Sequence, residues 1–294
     1  MRTASLIILT LFVGLPVRSQ PVAGSWEMLT SAPDAGGVRL RHDDTFFLNA
    51  SIGWVANLRG EVWRTDDGGG EWNLIFDNGG AVGLRSIGFA TEDVGWSGTV
   101  LNPGSVLFET RDGGQSWTEI SNRIVGPVPT GICGIHVLDE TVAFGAGVFH
   151  GDPHIIRTAN GGTTWESHDV SDLAGSLVDI HFISPSTGFA VGGTGSDLDG
   201  DAVILRTLDG GDTWSRVHVT TRSPEVVGEW GWKISFPSET VGYVSVEYAA
   251  SSAPQPAKVL ATRDGGGSWA PLSIPGSTET AGLQGIGFVT EDVG

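Results

Sequence analysis

A turn phrase that recurs five times, a repeat length of 45 to 55 residues and an abundance of glycine and tryptophan predict an all-β fold, a β-propeller of four-stranded antiparallel blades. The phrase first reads Thr65-Asp66-Asp67-Gly68-Gly69-Gly70-Glu71-Trp72 and returns at residues 110–117, 158–165, 207–214 and 262–269. With 45 glycines and 11 tryptophans in 294 residues, and no collagen-like or low-complexity period, the composition fits many tight turns between short strands.

Each phrase has the chemistry of a hairpin turn. Asp67, Asp112, Asn160, Asp209 and Asp264 stand third in the five copies, where a short polar side chain can accept backbone N–H groups. The glycines that follow permit positive φ, and Thr or Ser hydroxyls satisfy further turn groups. Trp72, Trp117, Trp165, Trp214 and Trp269 close the phrases and open the next strand as apolar plugs.

The other strands follow from period-two alternation. Residues 86–89, 134–137, 179–182 and 233–236 read as first strands, and Gly53-Trp54, Gly95-Trp96, Gly188-Phe189 and Gly242-Tyr243 open second strands. A third strand, such as residues 203–207, leads into the Asp turn, and the fourth starts at the tryptophan. One such unit cannot bury both faces alone, so the units stack around an axis. Small alternate residues such as Gly88 and Gly134 suit that stacking. His136 and His181 share one slot in successive blades, as packing, channel lining or a shared metal site.

The five phrases resemble the Asp-box, or bacterial neuraminidase repeat, of Ser/Thr-x-Asp-x-Gly-x-Thr/Ser-Trp. Asn160 departs from it in the third copy and Glu71 in the first, and all five copies carry an extra glycine. The fuller pattern, a strand ending in Phe, then Gly-Trp, then the turn phrase, resembles the photosystem II stability and assembly factor family over residues 25–294. That resemblance implies turns on the outer rim whose Asp and Trp residues are structural. It also implies an exported, non-enzymatic scaffold that holds a protein partner, such as a membrane-protein complex under assembly.

The N-terminus and C-terminus carry different expectations. Arg2, the apolar run over residues 6–15 and Val17-Arg18-Ser19 read as a secretory signal peptide over residues 1–19. No cysteine lies near the cleavage position, so lipid anchoring there is not expected. The propeller then occupies residues 20–294. Residues 287–294 nearly repeat residues 88–95, so five blades are complete and a sixth has begun. Ser25-Trp26-Glu27-Met28 reads as a fourth strand that closes the ring by completing the last blade. The intact protein is expected to hold six or seven blades and to act as a periplasmic, lumenal or secreted monomer.

Composition removes several classes of function. Thirty-four acidic residues against 16 basic ones give a net charge of −18, which repels nucleic acid. Cys133 is the only cysteine, so no internal disulfide or Cys/His zinc cluster exists. No apolar stretch after the leader reaches membrane length, and no cofactor is expected.

Sites are sought in loops that the repeat does not constrain. Residues 149–154 carry His150, Asp152 and His154, which as zinc ligands would need a partner from another blade. Asp197, Asp199 and Asp201 alternate as in a calcium loop, but the glycine is misplaced and Leu208 stands where a bidentate Glu is wanted. A solvated acidic turn and a calcium site both remain open. Residues 248–256 form a Pro/Ser/Ala linker. Arg85, Trp230 and Trp232 are expected near the axis, where with His150, Asp152, His154 and Tyr248 they are candidates for binding a partner; for Trp230 and Trp232, packing in the core is the equal alternative.

The alternative function is a secreted glycoside hydrolase of the sialidase type, since those enzymes also carry Asp-boxes on propellers. Their arginine triad and Tyr-Glu nucleophile pair are poorly matched here. Arg123-Ile124-Val125 follows the second turn rather than preceding the first, and only Tyr248 beside Glu247 is free of the core pattern. Other carboxylate pairs in the acidic loops leave a retaining mechanism open.

Overall fold

A computed structural model describes residues 30–34, 36, 41–100, 102, 104–147, 152–196, 199–249, 251–274 and 283–294. The expected signal peptide, the strand at Ser25-Trp26-Glu27-Met28, His150 and Asp197 lie outside the described residues.

The described chain is a β-propeller of five successive antiparallel blades. The first comprises β1 (His42–Phe47), β2 (Gly53–Asn57), β3 (Glu61–Thr65) and β4 (Asn73–Asp77). The second comprises β5 (Leu84–Phe89), β6 (Gly95–Thr99), β7 (Leu107–Thr110) and β8 (Thr118–Glu119). A 3-10 turn at Ser121–Arg123 leads into β9 (Ile124–Val125), which pairs in parallel with the outer strand of the third blade. That blade runs β10 (Gly134–Val137), β11 (Ala143–Gly147), β12 (His154–Thr158) and β13 (Trp165–Asp169). The fourth is β14 (Ser176–Phe182), β15 (Gly188–Gly193), β16 (Ala202–Thr207) and β17 (Ser215–Val219). The fifth is β18 (Glu229–Ser235), β19 (Gly242–Tyr248), β20 (Lys258–Thr262) and β21 (Ala270–Ser273). The first strands β1, β5, β10, β14 and β18 contact one another in succession and are the innermost. The expected four strands per blade are present, and β9 is a fifth that periodicity did not reveal, because two residues are too few to show a pattern.

The turn phrases are built alike. In the fourth blade Asp209 Oδ1 lies 2.7 Å from Thr207 Oγ1 and accepts the Thr213 N–H at 2.9 Å, while the Thr213 hydroxyl donates to Oδ2 at 2.6 Å. Asp112 and Asp264 repeat this set. Asp67 keeps only the Thr65 and backbone contacts, because Glu71 has no hydroxyl to donate. In the third copy the roles reverse, and Asn160 Nδ2 donates to Thr164 Oγ1 at 2.9 Å. Each turn is stapled to the β1–β2-type turn of its own blade by one backbone bond, such as Gly210 N–H to Ser186 C=O at 2.8 Å. Gly68, Gly113, Gly161, Gly210 and Gly265 donate these bonds at φ between 66° and 76°, a region other residues rarely adopt.

Aromatic stacking joins the blades. The aromatic residue opening a second strand lies flat on the Phe ending the next blade's first strand. Trp54 stacks on Phe89 at 3.7 Å, Phe144 on Phe182 at 3.7 Å and Phe189 on Phe236 at 5.0 Å between ring centroids. Beyond the fifth blade, Tyr243 stacks on Phe288 at 3.8 Å and its hydroxyl donates to the Glu291 carbonyl, so residues 283–294 pack as a further first segment. The turn tryptophan then meets the same Phe edge-on, as Trp117 meets Phe89 and Trp214 meets Phe182. At the first blade, Phe47 receives Trp72 but no stacked partner among the described residues. It stays 43% exposed where Phe89 is 2% exposed.

Candidate functional site at the propeller axis

The innermost strands place a small set of charged residues around the axis. In four of them the register slips by one residue, at Asp43, Arg85, Val178 and Trp232. A bulge leaves one residue unpaired and re-aims its side chain. Asp43 and Arg85 face each other across neighbouring blades, with Arg85 Nη1 3.7 Å from Asp43 Oδ1, and Arg41 Nε donates to the same oxygen at 2.8 Å. The Trp232 ring of the fifth blade lies within reach of both guanidinium groups, its centroid 5.5 Å from Arg41 Cζ and 5.4 Å from Arg85 Cζ. Such contacts stabilise a desolvated cation by about 1–2 kcal/mol.

The residues after the four bulges, with Gly134 of the unbulged third blade, form a second ring at one register: Asp44, Ser86, Gly134, Asp179 and Lys233, opposite Ala56, Gly98, Ala146, Val191 and Ser245. Lys233 Nζ sits 2.9 Å from Asp44 Oδ1 and 3.6 Å from Asp179 Oδ1, so one ammonium ties the first, fourth and fifth blades. The two carboxylates also accept edge N–H groups of the next blade, Ile87 at 2.9 Å and Ile234 at 3.1 Å. Burial pushes Asp179 above the usual carboxylate range, against the pull of Lys233. Burial also disfavours the charged Lys233, yet Asp179 and Asp44 more than offset it and hold the ammonium above its ordinary value. Gly134 is where the third and fourth blades touch, since a Cβ there would stand 2.7 Å from the Asp179 Cα.

His136 and His181 do share one slot, with ring centroids 4.6 Å apart. Burial lowers their pKa values to about 3 and about 4, so both are neutral at neutral pH. The rings and the charged layer line a cavity of about 440 Å³ with isoleucines from four blades. No cluster of three or more His, Cys, Asp or Glu groups among the described residues could hold a metal ion.

The other candidates are dispersed, and several are corrected. Arg85, Trp230, Trp232 and Tyr248 are 2%, 2%, 7% and 7% exposed, which agrees with the core-packing alternative for the two tryptophans and leaves Arg85 and Tyr248 buried rather than on a surface for a partner. The long, strand-forming stretch that carries Trp230, Trp232 and Tyr248 extends β18 and β19 deeper into the blade than the loop expected there. His154 begins β12 and is buried, with Nδ1 3.0 Å from the Asp152 carbonyl, while Asp152 is exposed. Asp201 pairs with Arg222 at 2.9 Å, which compensates the charge a calcium ion would need, and Asp199 is exposed. Arg123 pairs with the buried Glu109. Arg41, Asp43, Asp44 and Lys233 were missed. A bulge shifts the phase of period-two alternation, so alternation alone could not assign these residues to a face, and the available signal was the unusual pair Asp43-Asp44 inside an apolar repeat.

Among the described residues, Tyr248 and Glu247 are not arranged as a sialidase nucleophile pair. Tyr248 and Glu247 are adjacent in β19, so their side chains leave opposite faces. Tyr248 faces Glu229 across the strands, and its hydroxyl donates to the Pro256 carbonyl at 2.9 Å. Burial, with the Glu229 charge, pushes its pKa up to about 12, the reverse of what a nucleophile requires.

Comparison with known proteins sets this geometry in context. No family model matches the chain. The chain is 28% identical over 201 residues to the photosystem II assembly lipoprotein Ycf48 of Synechococcus sp. (strain CC9902). It is similar in sequence to an assembly factor. The match covers 65% of the chain and 55% of Ycf48, so the chain spans about half the length of this curated relative. Among solved structures, YCF48 from Cyanidioschyzon merolae superposes with a TM-score of 0.50 at 17% identity, over 86% of this chain and 93% of that one. An ancestral GH74 enzyme gives 0.58 at 16% identity over 85% of this chain and 33% of its own. The GH74 xyloglucanase from Xanthomonas campestris gives 0.57 at 16% identity, over 79% and 38%. These likenesses are of fold. Among the described residues no helix is long and apolar enough to cross a membrane.

Proposed function

We propose that the protein is an exported, non-enzymatic propeller that binds a protein partner during assembly of a membrane complex, photosystem II where the host is photosynthetic. The observation that carries this reading is the sequence similarity to Ycf48, 28% identical along 201 residues. The site geometry supports it: the one tyrosine that could serve as a nucleophile is buried, hydrogen-bonded and shifted toward the neutral form. The axial carboxylates are paired with Lys233, Arg41 and Arg85, an arrangement that braces blades rather than presents an acid and a base. The GH74 likeness, at 16% identity, speaks for a shared scaffold and not for shared chemistry.

Immobilised protein is incubated with detergent-solubilised membranes of a photosynthetic bacterium, and retained subunits are quantified by mass spectrometry. Enrichment of photosystem II assembly intermediates over mature complexes is the expected result. Retention no higher than on an unrelated acidic propeller contradicts the reading.

A further inference from the structure

One pair of polar side chains at the axis takes no part in bracing the blades. His136 of the third blade and His181 of the fourth stand at one register, each opposite the aromatic of its own second strand, Phe144 and Phe189. Their rings are tilted by 63° with centroids 4.6 Å apart, and both line the axial cavity. Among the described residues no hydrogen-bond partner meets any of the four ring nitrogens, and none of the four is sealed from solvent. Each ring is packed deeply enough to depress its pKa, yet keeps part of its surface open. Crowded polar groups without a protein partner are generally met by water or by an ion.

The surroundings favour an ion. Neutral imidazole is the form that ligates a metal, and both rings are neutral at neutral pH. Two metal–nitrogen bonds of about 2.0–2.1 Å, at an angle of about 90–110°, place imidazole centroids about 4.5–5.3 Å apart. The observed 4.6 Å falls within that span. The ammonium that lines the same cavity, Lys233, is already held between Asp44 and Asp179. Among the described residues no third His, Cys, Asp or Glu joins the pair, so such a site is open to solvent rather than closed by protein. The cavity of about 440 Å³ has room for the waters that complete it, at about 30 Å³ each.

We propose that His136 and His181 form a two-histidine clip for a divalent transition-metal ion of the imidazole-preferring kind, copper(II) most tightly, with water from the cavity in the remaining positions. Each ring contributes one nitrogen lone pair. The axial ion pairs among the described residues join the first, second, fourth and fifth blades, and none reaches the third. A shared ion ties the third blade to the fourth, as the Lys233 ammonium ties the first, fourth and fifth. The inference stands apart from the partner-binding role, since it concerns the interior of the ring.

Copper(II) chloride and zinc(II) chloride, titrated calorimetrically into the whole chain, are the probes. One tight site per chain is expected, with copper(II) held more tightly than zinc(II). Electron paramagnetic resonance of the copper form should show coupling to two imidazole nitrogens. His136→Phe and His181→Phe, which keep a ring in the slot, should each weaken the site about tenfold or more and leave coupling to one nitrogen. Zinc should raise the melting temperature of the parent and not of either variant. Should a variant fail to fold, the side-chain nitrogen resonances of the parent decide, and zinc is expected to move those of His136 and His181 before those of His168 and His218. A tight site unaltered by both substitutions, a copper signal without imidazole coupling, zinc shifts confined to other histidines, or no site tighter than in the variants would each overturn the proposal.

Discussion

At the scale of single residues, the Asp turns are the most informative feature. Asp209 and Asp264 have pKa values lowered from 3.8 to about 2, first by the hydroxyls of Thr213 and Ser268 and then by backbone N–H groups. A carboxylate whose folded pKa is depressed stabilises the fold fully above its unfolded pKa and loses that contribution as pH falls through the folded value. Melting temperature should therefore drop between about pH 4 and about pH 2. Asp209→Asn should flatten part of that drop while lowering the melting temperature at neutral pH, as followed by circular dichroism. An unchanged acid profile would show that the turn does not depend on the charged carboxylate. The Asp–Thr–Gly chemistry was legible because every participant lies within a few residues. The reversed donor in the Asn160 turn was legible only as a departure from the pattern.

At the scale of elements, the blade junction sets which residues the repeat tolerates. A Cβ on Gly188 would stand 2.6 Å from the Phe182 ring, and Gly53 and Gly95 are held the same way by Phe47 and Phe89. In the third blade the ring is replaced by Val137, and its partner is Ala143 rather than glycine. Trp165 then reaches Trp96 of the preceding blade edge-on at 5.8 Å. The glycine before the aromatic is thus a consequence of the Phe opposite it. Gly188→Ala should cost about 1–3 kcal/mol through overpacking, and adding Phe182→Val should recover part of that loss in urea melts. Full additivity of the two changes would refute the steric coupling. Strand order and the Gly-aromatic positions were legible from period two. The pairing of each aromatic with the next blade's Phe was not, because periodicity within one repeat carries no information about contacts between repeats.

At the scale of the molecule, the sequence disclosed a ring of blades but not what fills its centre. The axial ion cluster joins residues as far apart as Asp44 and Lys233, which meet at 2.9 Å only because bulges on opposite blades aim them inward. Trp230 and Tyr248, candidates for binding a partner, are buried in the core of the fifth blade. Tyr248, the candidate nucleophile, is held in that core by its hydrogen bond to the Pro256 carbonyl. The central claim, that this is a binding scaffold and not a glycosidase, is tested most directly by turnover. Purified protein is incubated with xyloglucan and with a panel of aryl glycosides that includes a sialoside, and released reducing sugar and chromophore are measured. The account predicts no release above a blank. Turnover that Tyr248→Phe or Glu247→Gln abolishes would contradict it.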